Sequence, residues 1–145
     1  MHRIILPAFL ILTFISAGSW ARAGNTYAPG MQSEGLEKYV GKYPSELFRS
    51  EPWVKTRLRA LLAARYSSFM DRIQTEMPIE NIEGSLVARG CMAHSCGSEE
   101  AVLVINLSDG KLHCAILSDS YGGRFKIFSE DPDHIPRALR AALQQ

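Results

Sequence analysis

The sequence shows no excess of charge of either sign: sixteen lysines and arginines stand against fifteen aspartates and glutamates in 145 residues. Removing residues 1–23 would take away Arg3 and Arg22 and no acid, moving the balance from +1 to about −1. That leaves no electrostatic case for nucleic acid or a membrane surface as partner. Cysteine is scarce too, with three residues in all. A structural zinc site takes four ligands, usually as two separated pairs. Only one close pair exists here, Cys91 and Cys96. The Cys-x-x-Cys-His needed for haem attachment is absent. Internal repeats and low-complexity tracts are lacking. After residue 23 no apolar run is long enough to cross a hydrocarbon core of ~30 Å.

What is present begins with an export pattern. Arg3 supplies a positive start, Ile4 to Ser16 is mostly apolar, and Ala21-Arg22-Ala23 offers a small-x-small cleavage site. Residues 1–23 read as a signal peptide, with Gly24 as the first mature residue. No cysteine follows where a lipid anchor would need one. Export places the remaining chain in an oxidising compartment, and its length fits one domain with one core. Residues 24–42 carry neither helical nor strand period and read as a mobile N-terminal arm. A single domain is expected over 43–145.

That domain starts with helices. Tyr43 to Phe48 reads as one short turn. Ser50, Glu51 and Pro52 together form a helix start signal. Val54, Leu58, Leu61, Leu62, Tyr66, Phe69, Met70 and Ile73 then trace one helix face, with a break near 63–66. Lys55, Arg57, Arg59 and Arg72 fall mostly off that face and read as a solvated surface rather than an anion site. Met77-Pro78 closes the helical region.

Strands follow: Ser85–Cys91, then Ala101–Leu107. Asp109-Gly110 is placed at the centre of a two-residue type I′ turn. That turn would pair Leu107 with Leu112, Ile105 with Cys114 and Leu103 with Ile116, making one apolar core face. Asn106 and His113 would share the other. Leu103, Ile105, Ile116 and Phe125 are expected to pack on Leu58, Leu62, Phe69 and Ile73. Tyr121-Gly122-Gly123 turns the chain into Arg124–Phe128. Ile135, Leu139 and Leu143 mark a final helix face, with Pro136 in its first turn. The fold class is α+β: an antiparallel meander of about four or five strands, packed with N-terminal helices and a C-terminal helix.

The chemistry concentrates in Cys91-Met92-Ala93-His94-Ser95-Cys96-Gly97, between two strands. As metal ligands, Cys91, His94 and Cys96 would be three groups crowded on one loop, and Cys114 would face the core. A catalytic Cys–His pair lacks a third group to orient the histidine, and export favours oxidation. The remaining reading is a Cys91–Cys96 disulfide that stiffens the loop, with Cys114 reduced and buried. His94 then stands at the middle of a rigid, solvent-facing loop. Imidazole donates to carboxylates and pairs with them when protonated, which fits a cleft containing acids. No catalytic residue, cofactor or metal is expected.

This stretch resembles the inhibitor of vertebrate lysozyme family of the Gram-negative periplasm, whose loop reads Cys-Lys-Pro-His-Asp-Cys, often followed by Gly. The cysteines and the histidine match in type and spacing. Met92, Ala93 and Ser95 stand where that family has Lys, Pro and Asp. The resemblance implies a periplasmic, non-enzymatic inhibitor of c-type lysozyme, in which His94 enters the active-site cleft and meets the two catalytic carboxylates. Some relatives are dimeric, so a homodimer is left open. The alternative of a different class is an exported binding module of unknown ligand that keeps the loop scaffold. A third reading is a small redox or metal protein using Cys91 and Cys96.

Overall fold

A computed structural model describes residues 33–144. The signal peptide read over 1–23 and the first part of the arm lie outside the described residues. Among the described residues no helix is long and apolar enough to cross a membrane. The chain runs through helices α1 (Pro44–Ser50), α2 (Pro52–Leu62) and α3 (Tyr66–Asp71). Strands β1 (Thr75–Glu76), β2 (Glu80–Ile82), β3 (Ser85–Cys91), β4 (Glu100–Asn106), β5 (Leu112–Ser118) and β6 (Arg124–Ser129) follow, and α4 (Arg137–Ala142) closes the order. It is an α+β protein with one antiparallel sheet in the order β1-β3-β4-β5-β6, in which β2 also pairs with β3.

The expected helical face forms as written, with its break. Pro52 opens α2 because the first helical residue needs no N–H partner. Ser50 does not cap this helix; it ends α1, and Glu51 is the flanking residue. Ala63 ends α2 at φ 49°, and a 3-10 turn over Ala63–Arg65 leads into α3. Val54, Leu58, Leu62, Phe69 and Ile73 are buried against Leu86, Ala88, Leu103, Ile105, Leu112, Cys114 and Ile116 of the sheet. Leu36 and Tyr39 belong to the same core. They lie within the span read as an arm, yet form a short 3-10 helix (Leu36–Tyr39) that covers the core, so the arm reading is corrected there. Too few residues were involved for any period to reveal it.

The register differs from the expected one by two residues. Ile105 opposes Leu112, Leu103 opposes Cys114 and Ala101 opposes Ile116. The type I′ turn needs positive φ at both central residues, and of Asp109 and Gly110 only Gly110 (φ 67°) has it. Asn106 Oδ1 instead accepts from Ser108 N–H and Oγ–H at 3.0 and 2.8 Å. Asp109 Oδ1 accepts from Lys111 N–H at 2.9 Å, and a longer loop results. A shift of two preserves every side chain's face, so the expected core face survives. A two-residue turn with both residues at positive φ does occur two hairpins earlier, at Glu83 and Gly84, joining β2 to β3.

The second face is also covered. Val87, Val102, Val104 and Ala115 pack on Ala138, Leu139 and Ala142 of α4, with Ile135 and Leu143 half-buried beside them. Phe125 belongs here and not with Leu103, because it pairs across from Leu117; Phe128, opposite Cys114, takes the helix-side place. Asn106 pairs with Ser85, and His113 with Val104.

Candidate functional site: the stapled β3–β4 loop

β3 and β4 pair over seven positions, from Ser85↔Asn106 to Cys91↔Glu100. Both are central strands, so the loop between them leaves the sheet from a base fixed on two sides. Cys91 is fully buried at that base, while Cys96 is exposed. The two are joined in a disulfide with Cα atoms 5.0 Å apart. Both sulfurs are therefore bonded to each other. Cys114 is the free cysteine, fully buried at mid-sheet, and burial pushes its thiol up to about 12.

The tip is a tight turn. Ser95 N–H donates to Met92 O at 3.0 Å, leaving Ala93 and His94 as the central pair. His94 has φ 66° and Ala93 does not share the positive sign, the pattern of a type II turn. Glu99 binds the two ends of this turn together. Its carbonyl accepts from Met92 N–H at 2.9 Å, and its N–H donates to Ser95 O at 2.9 Å. Gly97, at φ 93°, donates to Glu100 Oε1 at 2.8 Å. Met92 and Ser95 are half-buried; Ala93 and His94 are exposed. His94 makes no hydrogen bond or ion pair to a described residue.

Sequence reasoning missed what holds Glu99. Its carboxylate is ion-paired with Arg72, whose side chain is 9% exposed. Arg72 was expected on the solvated helix face and is instead buried. Its Nε donates to Leu117 O at 3.1 Å, Nη1 to Ser68 O and Oγ at 2.6 Å each, and Nη2 to Ser118 Oγ at 3.0 Å. Glu99 Oε1 also accepts from Ser118 Oγ–H and Asp119 N–H, at 3.1 Å each. Burial alone would raise the Glu99 carboxyl. The Asp119 N–H, the Ser118 hydroxyl and the Arg72 guanidinium outweigh it and hold the group below the ordinary carboxylate range. The loop is thus tied at one point by the staple and at another by a buried clamp to α3 and the end of β5.

Gly90 explains how Arg72 comes so close. A Cβ there would lie 2.9 Å from Ile73 Cα, 3.0 Å from Thr75 O and 3.1 Å from Arg72 O. The chain leaving α3 crosses directly over the end of β3, which only a residue without a side chain allows.

The molecule is an α+β domain that presents a rigid, exposed tip from the ends of its central strands. A family model described as Inhibitor of vertebrate lysozyme (Ivy) matches residues 53–145, and the chain belongs to this family of lysozyme inhibitors. The matched span includes α2 from its second residue, the whole sheet, the stapled loop and α4. No curated protein and no solved structure matches the chain.

Proposed function

We propose that the protein is exported to the periplasm and there inhibits a c-type lysozyme by inserting the Cys91–Cys96 loop into its catalytic cleft. The observation that carries this reading is the state of His94: exposed, without a partner among the described residues, and held at the tip of a turn tied at its base. A glycosidase cleft holds two carboxylates, one protonated as the acid and one ionised. An inserted imidazole hydrogen-bonds to them and takes the space of the sugar at the point of cleavage. Inhibition is then competitive and involves no catalysis by the inhibitor. Because the loop is already ordered, little conformational freedom is lost on docking. Met92, Ala93 and Ser95 give this tip a less polar surround than the Lys, Pro and Asp of the family pattern, so His94 carries most of the polar recognition.

The test is a lysozyme activity assay with wild type and His94→Ala, folding being checked by circular dichroism. Each hydrogen bond to a charged partner is worth roughly 1.5–3 kcal/mol, so affinity falls about tenfold to over a hundredfold. A folded variant that inhibits as well as wild type rules out loop insertion. A wild-type protein that inhibits no lysozyme leaves the exported binding module as the reading.

A further inference from the structure

A polar concavity lies at the end of the sheet away from the stapled loop. β4 runs from Glu100, beside the stapled loop, to Asn106. There the β4–β5 turn, β5 and the segment entering α4 enclose a cleft of about 400 Å3. His113 lines it with only 1% of its surface exposed. Its Nδ1 is 2.7 Å from Ser129 Oγ. Ser129 Oγ already accepts from Asp131 N–H at 2.9 Å, and its own proton has Nδ1 as the neighbouring acceptor. With the Ser129 hydroxyl donating to Nδ1, the proton of the neutral ring sits on Nε2. Burial favours that neutral form, lowering the pKa against the opposing pull of Asp109, Glu130 and Asp131.

Nε2–H has no partner among the described residues. No side-chain nitrogen or oxygen that is sealed from solvent lacks a partner there, so Nε2 opens onto the cleft. Around it the charges are unequally satisfied. Asp131 is ion-paired with Lys111 and lies 3.2 Å from His134 Nδ1, and Lys111 also reaches Asp109 at 3.8 Å. Arg137 and Arg140, one helical turn apart on α4, line the same cleft, are exposed, and make no ion pair with a described residue. Two free guanidiniums and one buried N–H donor thus converge on a concave site, with Asp133 at the rim.

We propose that this cleft binds a small oxyanion carried on a hydroxylated body, a sugar acid or sugar phosphate. Its anionic group lies between Arg137, Arg140 and His113 Nε2, and a hydroxyl lies on Asp133. Guanidinium forks match carboxylate and phosphate geometry, and the volume falls in the range of small-ligand sites. The seven residues of β4 separate the cleft from the stapled loop by about 20 Å. A ligand here therefore leaves the loop free, and the site does not depend on the inhibitory reading.

The test follows the side-chain NMR signals of His113 and the arginines while sodium phosphate, glucuronate or neutral glucose is added to the full protein. Glucuronate shifts these signals saturably, glucose does not, and the Arg137→Ala/Arg140→Ala variant binds at least about tenfold more weakly. Both arginines are exposed, so the variant folds; circular dichroism verifies this. Saturable binding of phosphate without glucuronate supports the oxyanion site and assigns its source as free phosphate. Absence of binding by every probe overturns the proposal. So does unchanged affinity in the double variant, glucose binding as well as glucuronate, or shifts centred away from His113.

Discussion

His94 has φ 66° in a turn whose first central residue is alanine. Proline at that position pre-sets the backbone of a type II turn, and among the described residues Ala93 N–H makes no hydrogen bond that proline would remove. Ala93→Pro should therefore raise stability by about 0.4–1 kcal/mol, acting through the unfolded chain, and should tighten lysozyme inhibition. Thermal melts and inhibition titrations check both; a loss of stability would mean the turn is of another type. In the core, Leu103 is fully buried. Leu103→Ala should cost about 2–5 kcal/mol, read as a fall in the denaturation midpoint. The staple was legible in the sequence because the signal is local: two cysteines within six positions. Arg72 was not legible. Its partners Glu99 and Ser118 are 27 and 46 positions away, and helical spacing reports only which face a residue starts from.

At the scale of elements, the clamp and the crossing at Gly90 join α3, β3, β4 and β5 at the base of the loop. Gly90→Ala would press a methyl group into the backbone of Arg72, Ile73 and Thr75, which cannot retreat without moving the crossing strand. We expect a loss of about 1–3 kcal/mol, visible in urea unfolding. Arg72→Ala would leave the Glu99 carboxylate half-buried without its cation, costing about 3 kcal/mol. Acid should act on the same point. The folded-state pKa of Glu99 is depressed. Its stabilisation is therefore complete above the ordinary carboxylate range and is lost as pH falls through the folded value. A pH titration of the Asp119 amide signal should show this loss in wild type and not in Glu99→Gln. Element types and most faces were readable from period, Phe125 and Arg72 excepted, since strand alternation and helix spacing survive a shift of two residues. The pairing of β4 with β5 was not, because side chains of Asn106 and Asp109 decide the turn. Nor were β1 and β2, whose two and three residues are too short for any alternation to register.

For the whole molecule, the proposed export and the observed staple meet in one prediction about thiols. The folded protein should show no reactive thiol, because Cys91 and Cys96 are bonded and Cys114 is fully buried with its thiol pushed up to about 12. Denaturation alone should expose one, and denaturation with reductant three. Mass mapping that linked Cys114 to a loop cysteine would contradict this. Reduction of the native protein then separates fold from function. The staple closes a loop of a few residues, for which chain entropy gives only about 2 kcal/mol. The sheet carries hydrophobic cores on both faces, and neither depends on the sulfur bridge. Reduced protein should therefore stay folded, melting some degrees lower, with its circular dichroism unchanged. The Glu99 hydrogen bonds to Met92 and Ser95 remain, so the turn is loosened rather than lost. Inhibition should weaken, because the freed loop must be ordered on docking, and it should recover on reoxidation. Combining reduction with Glu99→Ala should cost more than the two effects added, since each restraint then loses the other's support. Strict additivity would show that staple and clamp act on separate parts of the loop, and that the position of His94 is set by only one of them.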